Sequence, residues 1–251
     1  MTIIYGGQYS NKNNKIGHNM MKTIGLIGGM SWESTLLYYQ QINEGIKQHL
    51  GGLHSAKIAL YSVDFAEIEH FQSHGQWDLA AEHLANAGLR LQAAGADFLV
   101  LCTNTMHKVA PQIEDISKLP LLHIADATGE CISNTGIKTI GLLGTAFTME
   151  QAFYKNRLSD KFGLNVIIPN DADRKVVHDI IYNELCVGKI KESSKAEYQR
   201  IMRQLVKQGA EGIILGCTEI TLLVGQEDTS VPVFDTTAIH AQKAVEFALQ
   251  N

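Results

Sequence analysis

The chain has 251 residues, of which 45% are hydrophobic and 19% are charged, and its formal net charge is −5. This length and composition fit one large or two small globular domains with a sizeable core. The acidic balance, without a run of Lys and Arg, argues against a nucleic-acid partner, and no apolar run approaches the roughly 18 residues that a membrane span requires. The four cysteines form no CxxC pair, so we expect reduced thiols, a cytoplasmic protein and no zinc or other metal site.

Residues 1–20 are polar and rich in Asn, and they show no helical or strand periodicity. They lack the basic start and apolar stretch of a secretory signal. We therefore expect a disordered leader over residues 1–20, or a segment added by an upstream start codon, with the first folded element beginning at Met21 or Lys22.

Strand and helix patterns alternate from that point onward. Apolar runs predict strands, and apolar residues at helical spacing predict helices. The strands are predicted at Thr23–Gly28, Lys57–Ser62 and Phe98–Cys102, and the helices at Glu33–His49 and Leu79–Ala94. Such alternation is typical of an α/β fold, in which helices cover both faces of a parallel sheet.

The second half of the chain repeats the first. "TIGLIGG" at Thr23–Gly29 returns as "TIGLLGT" at Thr139–Thr145, and "GADFLVLCTN" at Gly95–Asn104 returns as "GAEGIILGCT" at Gly209–Thr218. A third, looser match follows in the same order, at a nearly constant offset. We therefore predict two pseudo-symmetric α/β lobes with parallel sheets and an active site in the cleft between them. The first lobe would comprise residues 21–121 and 232–251, and the second would comprise residues 122–231.

The repeat points to two short segments as the candidate site. Ligands of parallel sheets bind beyond the carboxyl ends of the strands. Aligning the two halves places Cys217 on Thr103 and Thr218 on Asn104, each directly after a buried strand. The hydroxyl and amide groups of Asn104, Thr105 and Thr218, together with backbone N–H groups of the turns, suit a carboxylate.

These segments also carry a family resemblance. "LCTNTMH" and "LGCTE" resemble the two active-site motifs of the aspartate/glutamate racemase superfamily, and "GLIGGMSWEST" at Gly25–Thr35 resembles its amino-terminal motif. The resemblance runs from about Met21 to the end of the chain. It implies a racemase that interconverts L- and D-aspartate or glutamate without a cofactor or metal, and it suggests a homodimer. In the wider family two cysteines flank the substrate Cα, whereas Thr103 here resembles a branch of broad aspartate/glutamate racemases with a Thr/Cys pair.

The chemistry of racemisation explains why two opposed groups are needed. One group removes the α-proton and the other returns a proton to the opposite face. The resemblance places Cys217 against the L enantiomer, where a thiolate is a suitable base. The Thr103 hydroxyl holds its proton too tightly to be an easy base, but it can donate or relay one. We therefore predict Cys217 and Thr103 as the catalytic pair, with turnover favoured from L to D.

Further substrate contacts are predicted around this pair. The resemblance assigns Gln72 and Lys175 to the side-chain carboxylate of the substrate. Met30 and Ser31 follow a Gly-Gly turn and should line the cleft floor. Thr145 and Thr148 come from the equivalent turn of the second half, where they are either α-carboxylate ligands or helix caps.

Other residues that could carry chemistry fit structural roles better. Cys102 neighbours Thr103 on a strand, so its side chain should point to the opposite face and into the core. Cys131 and Cys186 fall in helical patterns and also fit the core. His107 and His123 fit buried or supporting histidines, since no further ligands are spaced for zinc. The glycine pattern lacks a full dinucleotide-binding motif, and nothing indicates pyridoxal phosphate.

Two alternative functions remain open from the sequence. One is a decarboxylase or cis–trans isomerase of a dicarboxylic acid on the same fold, since such an enzyme would also use a single thiol and a carboxylate cradle. The other is a non-catalytic protein that binds a small ligand between two lobes. A binding protein would give no reason for a cysteine at a strand end.

Overall fold

A computed structural model describes residues 21–250, and the predicted leader over residues 1–20 lies outside the described part. The described chain contains eight strands in two sheets. The first sheet holds β1 (Ile24–Gly28), β2 (Ile58–Ser62), β3 (Phe98–Leu101) and β4 (Leu121–Leu122), and the second holds β5 (Thr139–Gly144), β6 (Asn165–Ile167), β7 (Gly212–Gly216) and β8 (Val233–Asp235).

Helices connect successive strands within each half. Those of the first half are α1 (Trp32–Leu50), α2 (Phe65–Ser73), α3 (Trp77–Ala93), α4 (Ala110–Ser117) and α5 (Ile124–Ser133). Those that follow are α6 (Ala146–Glu150), α7 (Ala152–Phe162), α8 (Asp171–Asn183), α9 (Glu192–Lys207) and α10 (Thr236–Leu249). Short 3₁₀ turns span Thr105–Val109, Leu185–Val187, Thr218–Leu222 and Gln226–Asp228.

The two sheets have the same strand order. The first runs β2-β1-β3-β4 and the second β6-β5-β7-β8, and every strand pair is parallel. The predicted α/β class, with two lobes and parallel sheets, is therefore confirmed. β3 and β7 occupy equivalent positions in the two sheets, as the sequence repeat requires.

Local sequence accounts for the elements around the site. β1, β3 and β7 are buried along their whole length, which explains their continuous apolar runs. Ser31 caps the first turn of α1, where its hydroxyl accepts a hydrogen bond from the Ser34 N–H at 3.3 Å. Gly29 has a φ of 93°, and a Cβ at this position would collide with the Val63 carbonyl oxygen. Only glycine fits this turn, which leads the chain from β1 to Ser31.

Helix α10 packs against the first sheet, although it follows the second sheet in the sequence. Ala241, Ala244 and Val245 of this helix pack with Leu26 and Tyr38 on one face of the first sheet. β8, immediately before α10, pairs instead with β7 in the second sheet. The chain thus returns from the second sheet to the core of the first, and the predicted lobe boundaries stay a prediction. No helix within residues 21–250 combines the length and apolar composition that crossing a membrane requires.

Candidate active site

The two predicted motifs meet in one cleft at the carboxyl ends of the central strands. Cys217 directly follows β7, and Thr103 lies two residues beyond β3. Both residues line the same cleft. Because β3 and β7 are equivalent strands of sheets with the same order, the thiol and the hydroxyl come from matching positions in the two halves.

The structure brings most of the predicted site residues together. Those that line the cleft are Met30, Gln72, Thr103, Asn104, Thr105, Thr145, Cys217 and Thr218. Ser31 and Thr148 lie beside it, joined by hydrogen bonds to cleft residues. Lys175 is not among the lining residues, since it lies exposed on α8 with its Nζ 2.5 Å from Asp179 Oδ2. Its predicted contact with substrate stays a prediction.

Glu219 is the central side chain that the sequence reasoning did not select. It is 5% exposed, and three donors converge on its carboxylate. Ser31 Oγ donates to Oε1 at 2.7 Å, while Thr218 Oγ1 and Cys217 Sγ donate to Oε2 at 2.8 Å and 2.9 Å. The sequence does place this carboxylate two residues after Cys217, and that spacing could have indicated it. Ser31 comes from the opposite half, so Glu219 also joins the two sides of the cleft.

The surroundings of Cys217 favour the thiol over the thiolate. Burial raises the pKa of the Cys217 thiol well above its usual range, and the charge of Glu219 raises it further. Burial likewise raises the pKa of Cys186 to about 12. Cys186 packs against the hydrophobic core around the second sheet. It also lines the cleft, which its helical pattern did not indicate. Cys131 packs partly buried on that core, and Cys102 is fully buried beneath α10, as predicted for both.

Asn104 presents a buried amide oxygen beside Thr103. Thr236 Oγ1 donates to the Leu215 carbonyl oxygen at 2.9 Å, so it accepts from Asn104 Nδ2 at 3.1 Å. This contact fixes the orientation of the amide. Asn104 Oδ1 is buried and has no hydrogen-bond partner among residues 21–250. An unpaired buried acceptor in a cleft suits a donor such as the ammonium group of an amino acid.

Hydroxyl and amide side chains form hydrogen bonds across the cleft at two further places. Thr105 Oγ1 lies 3.1 Å from Thr145 Oγ1, which in turn lies 3.2 Å from Thr148 Oγ1. Thr145 also caps α6, so the helix-capping role is observed and its hydroxyl still faces the cleft. On another side, Tyr182 Oη donates to Gln72 Oε1 at 3.2 Å. These contacts form a polar lining of hydroxyl and amide groups.

A buried histidine holds the backbone at Thr103. His107 Nε2 accepts from the Ile124 N–H at 3.2 Å, so Nδ1 carries the ring proton and donates to the Thr103 carbonyl oxygen at 2.8 Å. Burial lowers the pKa of His107 well below its usual range, which keeps the ring neutral. His107 therefore fixes the end of β3, consistent with the supporting role expected for it.

The charge of the cleft comes from a single group. Among the described residues that line it, Glu219 is the only carboxylate, and none is Lys or Arg. No group of three His, Cys, Asp or Glu side chains within residues 21–250 is arranged to hold a metal ion. The lining can donate hydrogen bonds to a carboxylate, accept one from an ammonium, and exchange a proton at a thiol and a hydroxyl.

Two parallel sheets of the same strand order, with a thiol and a hydroxyl at equivalent strand ends, define the class of duplicated α/β folds. The chain belongs to the Asp/Glu/Hydantoin racemase family, whose model matches residues 27–244. It is accordingly an enzyme of the racemase class.

Individual relatives agree with this assignment. The broad specificity amino-acid racemase RacX of Bacillus subtilis (strain 168) is 24% identical over 234 residues, covering 88% of this chain and 96% of RacX. A crystal structure from Yersinia pestis with a proposed Asp/Glu racemase assignment is 61% identical, with a TM-score of 0.87, and covers 92% of this chain and 100% of that one. An aspartate racemase homologue from Pyrococcus horikoshii OT3 is 37% identical, with a TM-score of 0.79 and the same coverage.

Proposed function

We propose that the chain racemises an amino acid by proton transfer at Cα between Cys217 and Thr103, without a cofactor. The observation that carries the proposal is the placement of a thiol and a hydroxyl at equivalent strand ends, lining one cleft. Such a pair can act on the two faces of one carbon while the substrate stays in place.

The substrate that we propose is aspartate or glutamate. Thr105 and Thr145 offer hydroxyl groups to the α-carboxylate, and donors at this position stabilise the enolate-like transition state. Asn104 Oδ1 suits the ammonium. Gln72, and Lys175 if its side chain turns from Asp179 towards the cleft, would bind the distal carboxylate.

The proposed direction of faster turnover is from L to D. Cys217, with a carboxylate beside its sulfur, is the better base of the pair. A threonine hydroxyl is difficult to deprotonate near neutral pH, so the reverse reaction lacks an easy base. The family resemblance also supports a homodimer, and the four unpaired cysteines support a reducing, cytoplasmic setting.

The deciding experiment follows the α-proton. L-aspartate, L-glutamate and maleate are each incubated with the enzyme in D2O, and Cα deuteration, enantiomeric composition and loss of substrate are measured by NMR and chiral chromatography. We expect deuterated L and D forms of an acidic amino acid. Conversion of maleate or release of CO2 would favour the isomerase or decarboxylase instead, and binding without any exchange would favour the non-catalytic protein.

A further inference from the structure

We propose that Glu219 is the proton acceptor of Cys217: its carboxylate takes the thiol proton and leaves a thiolate to remove the α-proton. This inference rests on the proposed racemase function and adds a third catalytic group to it. Glu219 touches the reacting sulfur directly, with Oε2 2.9 Å from Sγ.

The hydrogen bonds around Glu219 favour this role. The carboxylate receives donors from Cys217, Thr218 and Ser31, which together occupy both of its oxygens. No salt bridge within residues 21–250 involves Glu219, so no Lys or Arg neutralises the carboxylate. An ionised carboxylate accepts hydrogen bonds and donates none, which matches three converging donors.

Proton transfer within the pair conserves its charge. The S–H bond breaks, its electron pair stays on sulfur, and an O–H bond forms on Glu219. The thiolate then takes the α-proton and leaves the electron pair on Cα. Thr103 donates its proton to Cα while taking one from water, and the hydroxide formed is neutralised by the proton that Glu219 releases. A single negative charge passes from Glu219 to the sulfur, then to Cα and to the hydroxide, and it returns to Glu219 when the hydroxide is neutralised, so no second buried charge has to form.

Ser31 places the carboxylate for this transfer. It caps α1 in the first half of the fold, whereas Glu219 follows β7 in the second. Its hydroxyl holds Oε1, which leaves Oε2 towards the sulfur. Ser31 is therefore a positioning residue, and the contact makes the orientation of the base depend on the opposite wall of the cleft.

The test is Glu219→Gln, which keeps the shape of the side chain and removes the proton acceptor. Turnover of the L enantiomer should fall by at least about 100-fold. The turnover that remains should rise as the pH is raised from about 7 to 9, because the Cys217 thiol must then lose its proton to solvent, whereas turnover of the parent should show no such rise. The titratable groups coupled to Cys217 are Glu219, Cys186, Tyr182 and Tyr198, and the substitution changes only the first.

Two variants control the test. Glu227→Gln makes the same change at an exposed position outside the cleft and should leave both measurements at the parent level. Glu219→Asp keeps a carboxylate on a shorter stem and should recover part of the turnover that Glu219→Gln loses.

Turnover within a few-fold of the parent in Glu219→Gln would overturn the proposal. So would lost turnover with the same pH profile as the parent, because a disturbed fold lowers turnover without changing how Cys217 loses its proton. A parent that exchanges no α-proton of either amino acid would overturn the proposed function instead, whereas an active parent with an equally active Glu219→Gln variant overturns only the role of Glu219.

Discussion

At the scale of single residues, Cys217 and Cys102 show how position decides the role of a thiol. Cys217 lines the cleft beside a carboxylate, whereas Cys102 is fully buried in the core under α10. We expect Cys217→Ala to lower turnover by at least about 100-fold, the usual scale for a lost acid/base group. Cys102→Ser should leave turnover per folded molecule nearly unchanged. Steady-state racemisation assays check both, and an equal loss in the two variants would contradict the assignment.

Lys175 provides a second prediction at this scale. If its ammonium leaves Asp179 to bind the distal carboxylate, it does so in both the ground and the transition state. Lys175→Met should then raise KM for aspartate and glutamate with little change in kcat. Lys207→Met, at an exposed position on α9, is the matched control. An unchanged KM for both substrates would show that Lys175 does not contact them.

The sequence predicted one part of the site better than the other. Thr103 and Cys217 were found because the repeat aligns them and because buried strands end there. Glu219 was missed although it stands two residues from Cys217, because only the 3₁₀ turn at Thr218–Leu222 bends its carboxylate back to the sulfur. The pairing of Lys175 with Asp179 depends on which way a flexible, exposed side chain turns, and no sequence pattern records that.

At the scale of elements, buried His240 ties α1, α10 and β4 together. Tyr38 Oη donates to His240 Nδ1 at 2.8 Å, and His240 Nε2 donates to the Leu122 carbonyl oxygen at 2.8 Å. Burial lowers the pKa of His240 to about 4 and that of the neighbouring His123 to about 3. These rings are neutral in the fold and would charge more readily in the unfolded chain.

This arrangement predicts how stability depends on pH. The unfolded chain gains protons below its ordinary histidine pKa of about 6.5, whereas folded His240 resists them until about pH 4. The free energy of unfolding should therefore decrease from about pH 6.5 downward, with a contribution on the order of 3 kcal/mol from His240. Urea titrations across this range measure it. His240→Gln, which can keep both hydrogen bonds, should flatten the profile, and an unchanged slope would contradict the account.

At the scale of the whole molecule, the two sheets share one order but end in different residues. β3 leads to Thr103 and β7 leads to Cys217, so the fold is symmetric while the chemistry is not. The two enantiomers have equal free energies in water, which makes the ratio of kcat/KM in the two directions equal to one. Any bias must therefore appear in kcat and KM separately, with slow turnover of the D form matched by its tighter binding.

Thr103→Cys tests this asymmetry. A thiol at the end of β3 would supply a usable base on the second face, so turnover from D to L should rise. Circular dichroism progress curves from each pure enantiomer, for the parent and the variant, measure both directions. Faster turnover from D than from L in the parent, or no gain in the variant, would overturn the assigned roles.

The packing of α10 has a consequence for synthesis on the ribosome. The first sheet needs Ala241, Ala244 and Val245 to cover one of its faces, yet the whole second sheet is translated before them. At about 5–20 residues per second, roughly 115 intervening residues delay that cover by about 6–23 seconds. During this interval the nascent chain displays the apolar face around Leu26 and Tyr38. The first half of the chain can therefore complete its hydrophobic core only after α10 has left the ribosome.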